Sequence, residues 1–229
     1  MQDLADCPEV GRVILTVNVP EREFQLPPTL TERTVILRNE TPKGFGANHN
    51  AAFRHCDTPF FCVLNPDVRL QGNPFPALLV SLGGGIALCA PVVLSPCGEV
   101  EDSARYFPTF RNLFAKLMGW GDGRYQPVSS DRPLEPDWLA GMFMVFSSHA
   151  YAALGGFDEG YFLYYEDVDI CARLWRSGRS LQVCQRVSVI HAAQRASRRN
   201  LRHTWWHLVS MTRYFLWHGG RLPNTKSTP

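Results

Sequence analysis

The sequence has no Cys-x-x-Cys pair. Its seven cysteines, Cys7, Cys56, Cys62, Cys89, Cys97, Cys171 and Cys184, are scattered and odd in number. That speaks against a disulfide framework and for reduced thiols in a cytosol. Excess charge is also lacking: the formal net charge is +2, so the whole molecule is not matched to any polyanion and nucleic acid is not an expected partner. The opening "MQDLADCPEVGR" carries acids and a proline where a secretory signal would carry an apolar stretch, so a cytoplasmic location is expected. Uncharged Phe75 to Leu94 is as long as a membrane span, but Pro76, Gly83-Gly84-Gly85 and Pro91 interrupt it. It reads as a short helix, a turn and a buried strand. No internal repeat is visible.

What is present is apolar substance: 45% hydrophobic and 12% aromatic residues in 229. That is enough to bury one sizeable core, and a single domain over residues 1–229 is expected. Strands are predicted at Arg12–Asn18, Thr34–Asn39, Phe60–Asn65, Ile86–Val93, Gly141–Phe146 and Arg186–His191, most of them continuous apolar runs. Helices are predicted at Gly46–His55, Phe75–Leu82, His149–Leu154, Glu166–Ser177 and about 200–218. Apolar strands alternating with helices imply a doubly wound, mostly parallel α/β sheet with helices on both faces. Ser95 to Pro136, rich in proline, glycine and charge, is predicted as a long excursion over the site.

Four places carry chemistry. In "FFCVLNPDVRL", a buried strand ends at Asn65-Pro66-Asp67, because Pro66 has no amide hydrogen to continue a ladder. Ligands of open α/β sheets gather at the carboxyl ends of strands, so Asp67 stands where chemistry is expected; taken alone, the tripeptide is equally a plain turn. In "NETPKGFGANHNAAF", Lys43-Gly44-Phe45-Gly46 leads into a helix whose amino terminus favours an anion, with Asn48 and Asn50 able to bond a base or ribose; an ordinary tight connection explains the glycines equally well.

In "GGFDEGYFLYYEDVDICARLWRSG", Val168, Cys171, Ala172 and Trp175 form a buried helical stripe, and Glu166 and Asp167 fall in its first turn. The helix dipole is expected to keep both ionised and able to accept a proton or a sugar hydroxyl's hydrogen bond, although acids are common at helix starts. Phe157, Tyr161, Phe162, Tyr164 and Tyr165 just ahead suit the rim of a carbohydrate site. In "VSVIH", a further apolar strand ends in His191. A lone histidine there is usually structural, but beside Asp67 it offers half a shell for Mn²⁺ or Mg²⁺, with two phosphate oxygens as the remainder.

Together "KGFGANHNAAF", "FFCVLNPDV", "DWLAGMFMVF", "LGGFDEGYFLYYEDVDICARLWRSG" and "VIH" resemble, in order and spacing, the family 2 glycosyltransferases of GT-A fold, close to their bacterial rhamnosyltransferase-like members. The resemblance implies inverting transfer of a sugar, rhamnose among the candidates, from a nucleotide diphosphate sugar to a saccharide or lipid-linked acceptor in surface polysaccharide synthesis. It assigns Asp67 and His191 to Mg²⁺ or Mn²⁺; Asn18, Lys43, Gly44, Asn48, Asn65 and Asp67 to the donor; Asp167 to the catalytic base; and Glu166, Trp138 and Tyr165 to the acceptor. The sequence departs from the family twice. Met1 to Cys7 resembles the tail of the helix that usually follows a first strand, so that strand is expected to be absent from the sheet. Uncharged Asn18 also stands where an aspartate usually holds the base.

The carboxyl-terminal helix combines Trp205, Trp206, Tyr214, Phe215 and Trp217 with Arg195, Arg198, Arg199, Arg202 and Arg213. Such a helix suits peripheral contact at the inner face of a bacterial plasma membrane, or simply packs on the domain. Two other readings stay open: a catalytically degraded relative acting as a binding or scaffold subunit, and a nucleotidyltransferase or phosphohydrolase using the same metal edge.

Overall fold

The computed structural model describes residues 1–20, 24–110, 112, 118, 123–125, 132–192, 201–219, 222–223 and 225. A short helix α1 (Gln2–Ala5) precedes β1 (Val13–Val17), α2 (Pro28–Thr31), β2 (Thr34–Arg38) and α3 (Phe45–Phe53). Then come β3 (Phe60–Leu64), β4 (Val68–Leu70), α4 (Phe75–Val80), β5 (Ile86–Leu94), β6 (Ala104–Arg105), β7 (Trp138–Leu139) and β8 (Phe143–Ser147). The chain continues through α5 (Ser148–Ala153), α6 (Glu166–Arg176), β9 (Ser180–His191) and α7 (Leu201–His218). All the expected elements are present within a few residues, except that β9 begins six residues before the predicted Arg186.

The main sheet has the order β3-β8-β5-β9-β4. Strands β3, β5 and β9 share one direction, which gives the mostly parallel sense expected, but β8 runs against both β3 and β5 and β4 runs against β9. The insertion of β8 is possible because "FMVF" is apolar on successive residues and stays buried on both faces. Pro91 lies inside the long strand β5, where the register slips between Pro91 and Val92; a bulge is one of the few strand positions that tolerates a missing donor.

Strands β1 and β2 pair in parallel as a separate two-stranded sheet, with no hydrogen-bonded strand joining them to the main sheet among the described residues. Their attachment is by side chains. Ile14 packs on the main core, α3 lies against β1, and Arg12 reaches the His55 carbonyl at 2.8 Å and Asp57 at 3.0 Å. Ahead of β1, α1 lies against β4, with Asp3 accepting from Arg69 and from the Leu70 amide, and Cys7 is buried among Val68, Phe75 and Phe143.

Candidate active site

The turn after β3 is tight. The Asn65 amide donates to the Met142 carbonyl at 2.9 Å, and the Val68 amide donates back to Asn65 at 3.2 Å. The backbone then re-enters the sheet as β4, where Val68 stands opposite His191. Asp67 is thereby drawn to the end of β9: its Oδ2 is 3.3 Å from His191 Nε2, and its main-chain oxygen accepts from the Ala192 amide at 3.1 Å. The other imidazole nitrogen, Nδ1, is 3.5 Å from Oε2 of Glu101. Sequence reasoning missed Glu101; the available signal was an acidic run following the buried strand β5, which returns a carboxylate to the same sheet edge.

Asp67 Oδ1 is buried and without a hydrogen-bond partner. An unpartnered carboxylate oxygen beside an imidazole nitrogen fits part of a Mn²⁺ or Mg²⁺ shell. Among the described residues no three acidic, histidine or cysteine side chains form a complete cage, so further ligands would have to come from a bound substrate. Flanking a ring with a carboxylate on each side fixes its orientation, a common arrangement around metal-binding histidines.

On the side of β1, Asn18 Oδ1 accepts from the Lys43 amide at 2.8 Å and from Asn39 at 2.9 Å, while its amide donates to the Lys43 carbonyl at 3.0 Å. Asn39 also donates to Asn48. Asn18, Lys43 and Asn48 are therefore brought together, with Asn18 spent on the backbone of the loop. The glycines have a structural cause. A Cβ on Gly44 would stand 2.8 Å from the Phe162 carbonyl oxygen, and one on Gly46 would stand 2.7 Å from Phe157 Cβ. The start of α3 is pressed against the 157–162 segment, and the Phe45 amide donates to Phe162 at 2.9 Å.

Helix α6 starts without a side-chain cap, after two successive left-handed residues, Tyr164 (φ 71°) and Tyr165 (φ 67°). Each such tyrosine costs on the order of 1–3 kcal/mol and persists only where its surroundings over-determine it. Here α7 does so: Ser210 donates to the Leu163 carbonyl, Tyr164 meets His203 at 3.0 Å, and Tyr165 packs on Tyr214. Further along α6, buried Asp169 holds Arg173 and His218, each at 2.7 Å. The strained turn presents Glu166 and Asp167 at the start of a fixed helix.

The expectation that both carboxylates stay ionised is corrected for Glu166. Its side chain is buried with Oε2 unpartnered, and burial, followed by the neighbouring charge of Asp167, pushes it up to about 8. Burial outweighs the helix dipole because one helix end supplies only a partial charge. Asp167 is half-buried. Burial raises it too, but its oxygens accept from the Gly141 amide at 3.1 Å and its neighbour's Val168 amide at 2.9 Å, which favour the anion. Burial favours a proton on Glu166, and the hydrogen bonds favour Asp167 as the holder of the pair's charge.

The same short segment that meets Asp167 also meets Asn65: Gly141 donates to the carboxylate and Met142 accepts from Asn65. Asp67, His191, Asn65, Glu166 and Asp167 thus belong to one constellation. The Phe45 ring lies against Gly141, where an added Cβ would be 3.0 Å from Cζ, so the Lys43–Gly46 loop abuts it.

The expected aromatic rim is corrected in part. Phe157, Tyr161 and Tyr165 are core, buried around Tyr151 and Tyr214, because the glycines and α7 close over them. Only Phe162 and Tyr164 remain half-buried, and both face α7. Trp138 is also buried; its Nε1 donates to the Tyr106 carbonyl at 2.9 Å, and Arg105 covers its ring. Arg195, Arg198 and Arg199 lie outside the described residues.

No family model matches the chain. Rhamnosyltransferase WbbL of Escherichia coli is 28% identical over 183 residues, spanning 75% of this chain and 69% of that protein. N-acetylglucosaminyl-diphospho-decaprenol L-rhamnosyltransferase of Mycobacterium tuberculosis is 33% identical over 126 residues, 51% of this chain, so the chain spans only 41% of that relative. Among solved structures, GalNAc-T7 with UDP, GalNAc and Mn²⁺ superposes with a TM-score of 0.59 over 80% of this chain and 38% of its own, at 15% identity. Staphylococcus aureus TarS in complex with UDP does so with 0.56 over 96% of this chain and 68% of its own, at 10% identity. The fold is that of the GT-A glycosyltransferases. In sequence the chain is similar to rhamnosyltransferases, which supports its resemblance to the family 2 glycosyltransferases.

Proposed function

We propose that the chain is an inverting, metal-dependent glycosyltransferase that moves a sugar, rhamnose by likeness to its relatives, from a nucleotide diphosphate sugar to a saccharide or lipid-linked acceptor. Its working place is the inner face of a bacterial plasma membrane, in surface polysaccharide synthesis. The single observation that carries this reading is the Gly141–Met142 link, which ties Asp167 and the Asn65 turn leading to the Asp67–His191 pair to one segment.

Asp167 removes the acceptor hydroxyl proton as that oxygen bonds to the anomeric carbon and the bond to the diphosphate breaks, its electron pair leaving with the nucleotide. A neutral Glu166 donates a hydrogen bond to the acceptor and leaves the pair's charge on the base. Asp67 and His191 would hold the metal, which would supply positive charge to offset that of a departing diphosphate. Asn18, Lys43, Gly44, Asn48 and Asn65 line the donor side, while Trp138 and Tyr165 support the acceptor side from behind.

Calorimetric titration of nucleoside diphosphates in Mn²⁺ and in chelator tests the donor half. Binding that needs the metal and disappears in Asp67→Ala is the expected result; equal affinity in all arms overturns the metal assignment. The separation of β1–β2 from the main sheet favours a second reading, a binding or scaffold subunit. It predicts donor binding without transfer under any acceptor.

A further inference from the structure

Helix α7 has two unlike faces. One carries Ser210, Tyr214 and His218 into the domain. Along the other, Leu201, Trp205, Leu208, Val209, Leu216 and Trp217 are exposed, Leu216 to 82% and Trp217 to 70%. Monomeric surfaces rarely leave so continuous an apolar stripe uncovered. The charge of this stretch of the sequence says what covers it. From Ile170 to Pro229 the sequence has no aspartate or glutamate, while Arg179, Arg186, Arg195, Arg198, Arg199, Arg202, Arg221 and Lys226 are among its cations. All acids lie earlier in the chain.

We infer that the outer face of α7 is a docking surface for an anionic lipid bilayer. Apolar side chains enter the acyl boundary, and tryptophans near both ends of the stripe take the headgroup level. The cations meet anionic headgroups, a contact worth most at low salt. The opposite face of α7 grips the loop leading to Glu166: Trp206 stacks on Phe162 with centroids 4.7 Å apart, Arg213 pairs with Asp158 at 2.8 Å, and Ser210 holds Leu163. The helix that meets the lipid is therefore the one that braces the acceptor side. This placement rests on the glycosyltransferase reading above; the lipid contact itself does not.

Flotation of the full chain with phosphatidylcholine vesicles, with and without phosphatidylglycerol, tests it in the absence of any nucleotide sugar. Binding to the anionic vesicles, weakened by salt, is expected. Replacing Trp205, Leu216 and Trp217 together by serine should lower the partition coefficient by about tenfold or more. Leu216→Ser alone, at an exposed position where folding is not at stake, should lower it measurably. No binding to either vesicle overturns the inference, as does binding unaltered by both variants. A concentration-dependent dimer that the triple variant abolishes, with no vesicle binding, would assign the stripe to a second copy instead. Vesicle binding by a chain that binds no nucleotide would refute the glycosyltransferase reading and leave the lipid surface standing.

Discussion

The five-stranded sheet and the β1–β2 pair are written in the same apolar vocabulary and end in different conditions. In the main sheet Val63, Leu88, Cys89, Met144, Phe146, Leu181 and Val189 are essentially inaccessible. In the pair only Val17 is buried, β2 has no buried residue, and Ile36 is 40% exposed. An apolar run gives a strand, but its burial comes from neighbours on both edges and both faces, and among the described residues the pair has a strand neighbour on only one edge of each strand. The candidate chemistry follows this division. Asp67, His191, Glu166 and Asp167 are carried by the main sheet and α6, whereas the pair contributes Asn18, which serves the Lys43 loop.

The largest effect should come from the robust side. Asp167→Asn keeps shape and removes the basic site, so turnover should fall roughly a hundred- to ten-thousandfold. Calorimetric donor affinity and melting temperature should stay near the parent's, and near-parent turnover at saturation would move the base elsewhere. Next in size is the contrast in packing. Phe146→Ala should cost about 3–5 kcal/mol, and Leu15→Ala in the pair less than about 2 kcal/mol, by urea unfolding. Equal losses would mean that the two sheets form a single cooperative core.

Much of this was legible in the sequence. Run length and breakers located the long strands apart from the first half of β9, and the stripe Val168, Cys171, Ala172 and Trp175 located α6. The antiparallel course of β8 was not legible, because a strand buried on both faces has the same composition in either direction. Nor was the burial of Phe157, Tyr161 and Tyr165: an aromatic next to acids and glycines reads as a rim until the glycines are seen to bring α3 against it. Glu101 stood in a visible acidic run, but its pairing was not legible, since its partner His191 is ninety residues away.

The two remaining tests are finer. Glu166 has a folded value raised from 4.5 to about 8, so the native state binds its proton more tightly than the unfolded chain does. Its contribution to stability is fully present below about pH 4.5 and lost as pH rises through about 8. Melting temperature across that window should therefore decline in the parent and decline less in Glu166→Gln; parallel curves would exclude a buried neutral Glu166. The smallest effect belongs to the junction between the sheets. The Arg12–Asp57 pair is substantially exposed, so Arg12→Ala should cost less than about 1 kcal/mol in chemical unfolding. A larger loss would show the pair of strands hanging from that one contact.

The Gly141–Met142 segment acts as a caliper. One of its jaws closes on Asp167 through the Gly141 amide, and the other on the turn before Asp67 through the Met142 carbonyl. The gap between them is a fixed length of covalent backbone, with no long side chain whose rotamer could vary it. The ring of Phe45 bears on the instrument's pivot and leaves no room for even a methyl group without displacement. A site assembled in this way trades adjustability for calibration. The span from Asp167 to the turn before Asp67 is set when the chain folds, and under the proposed function substrates must come to that gauge.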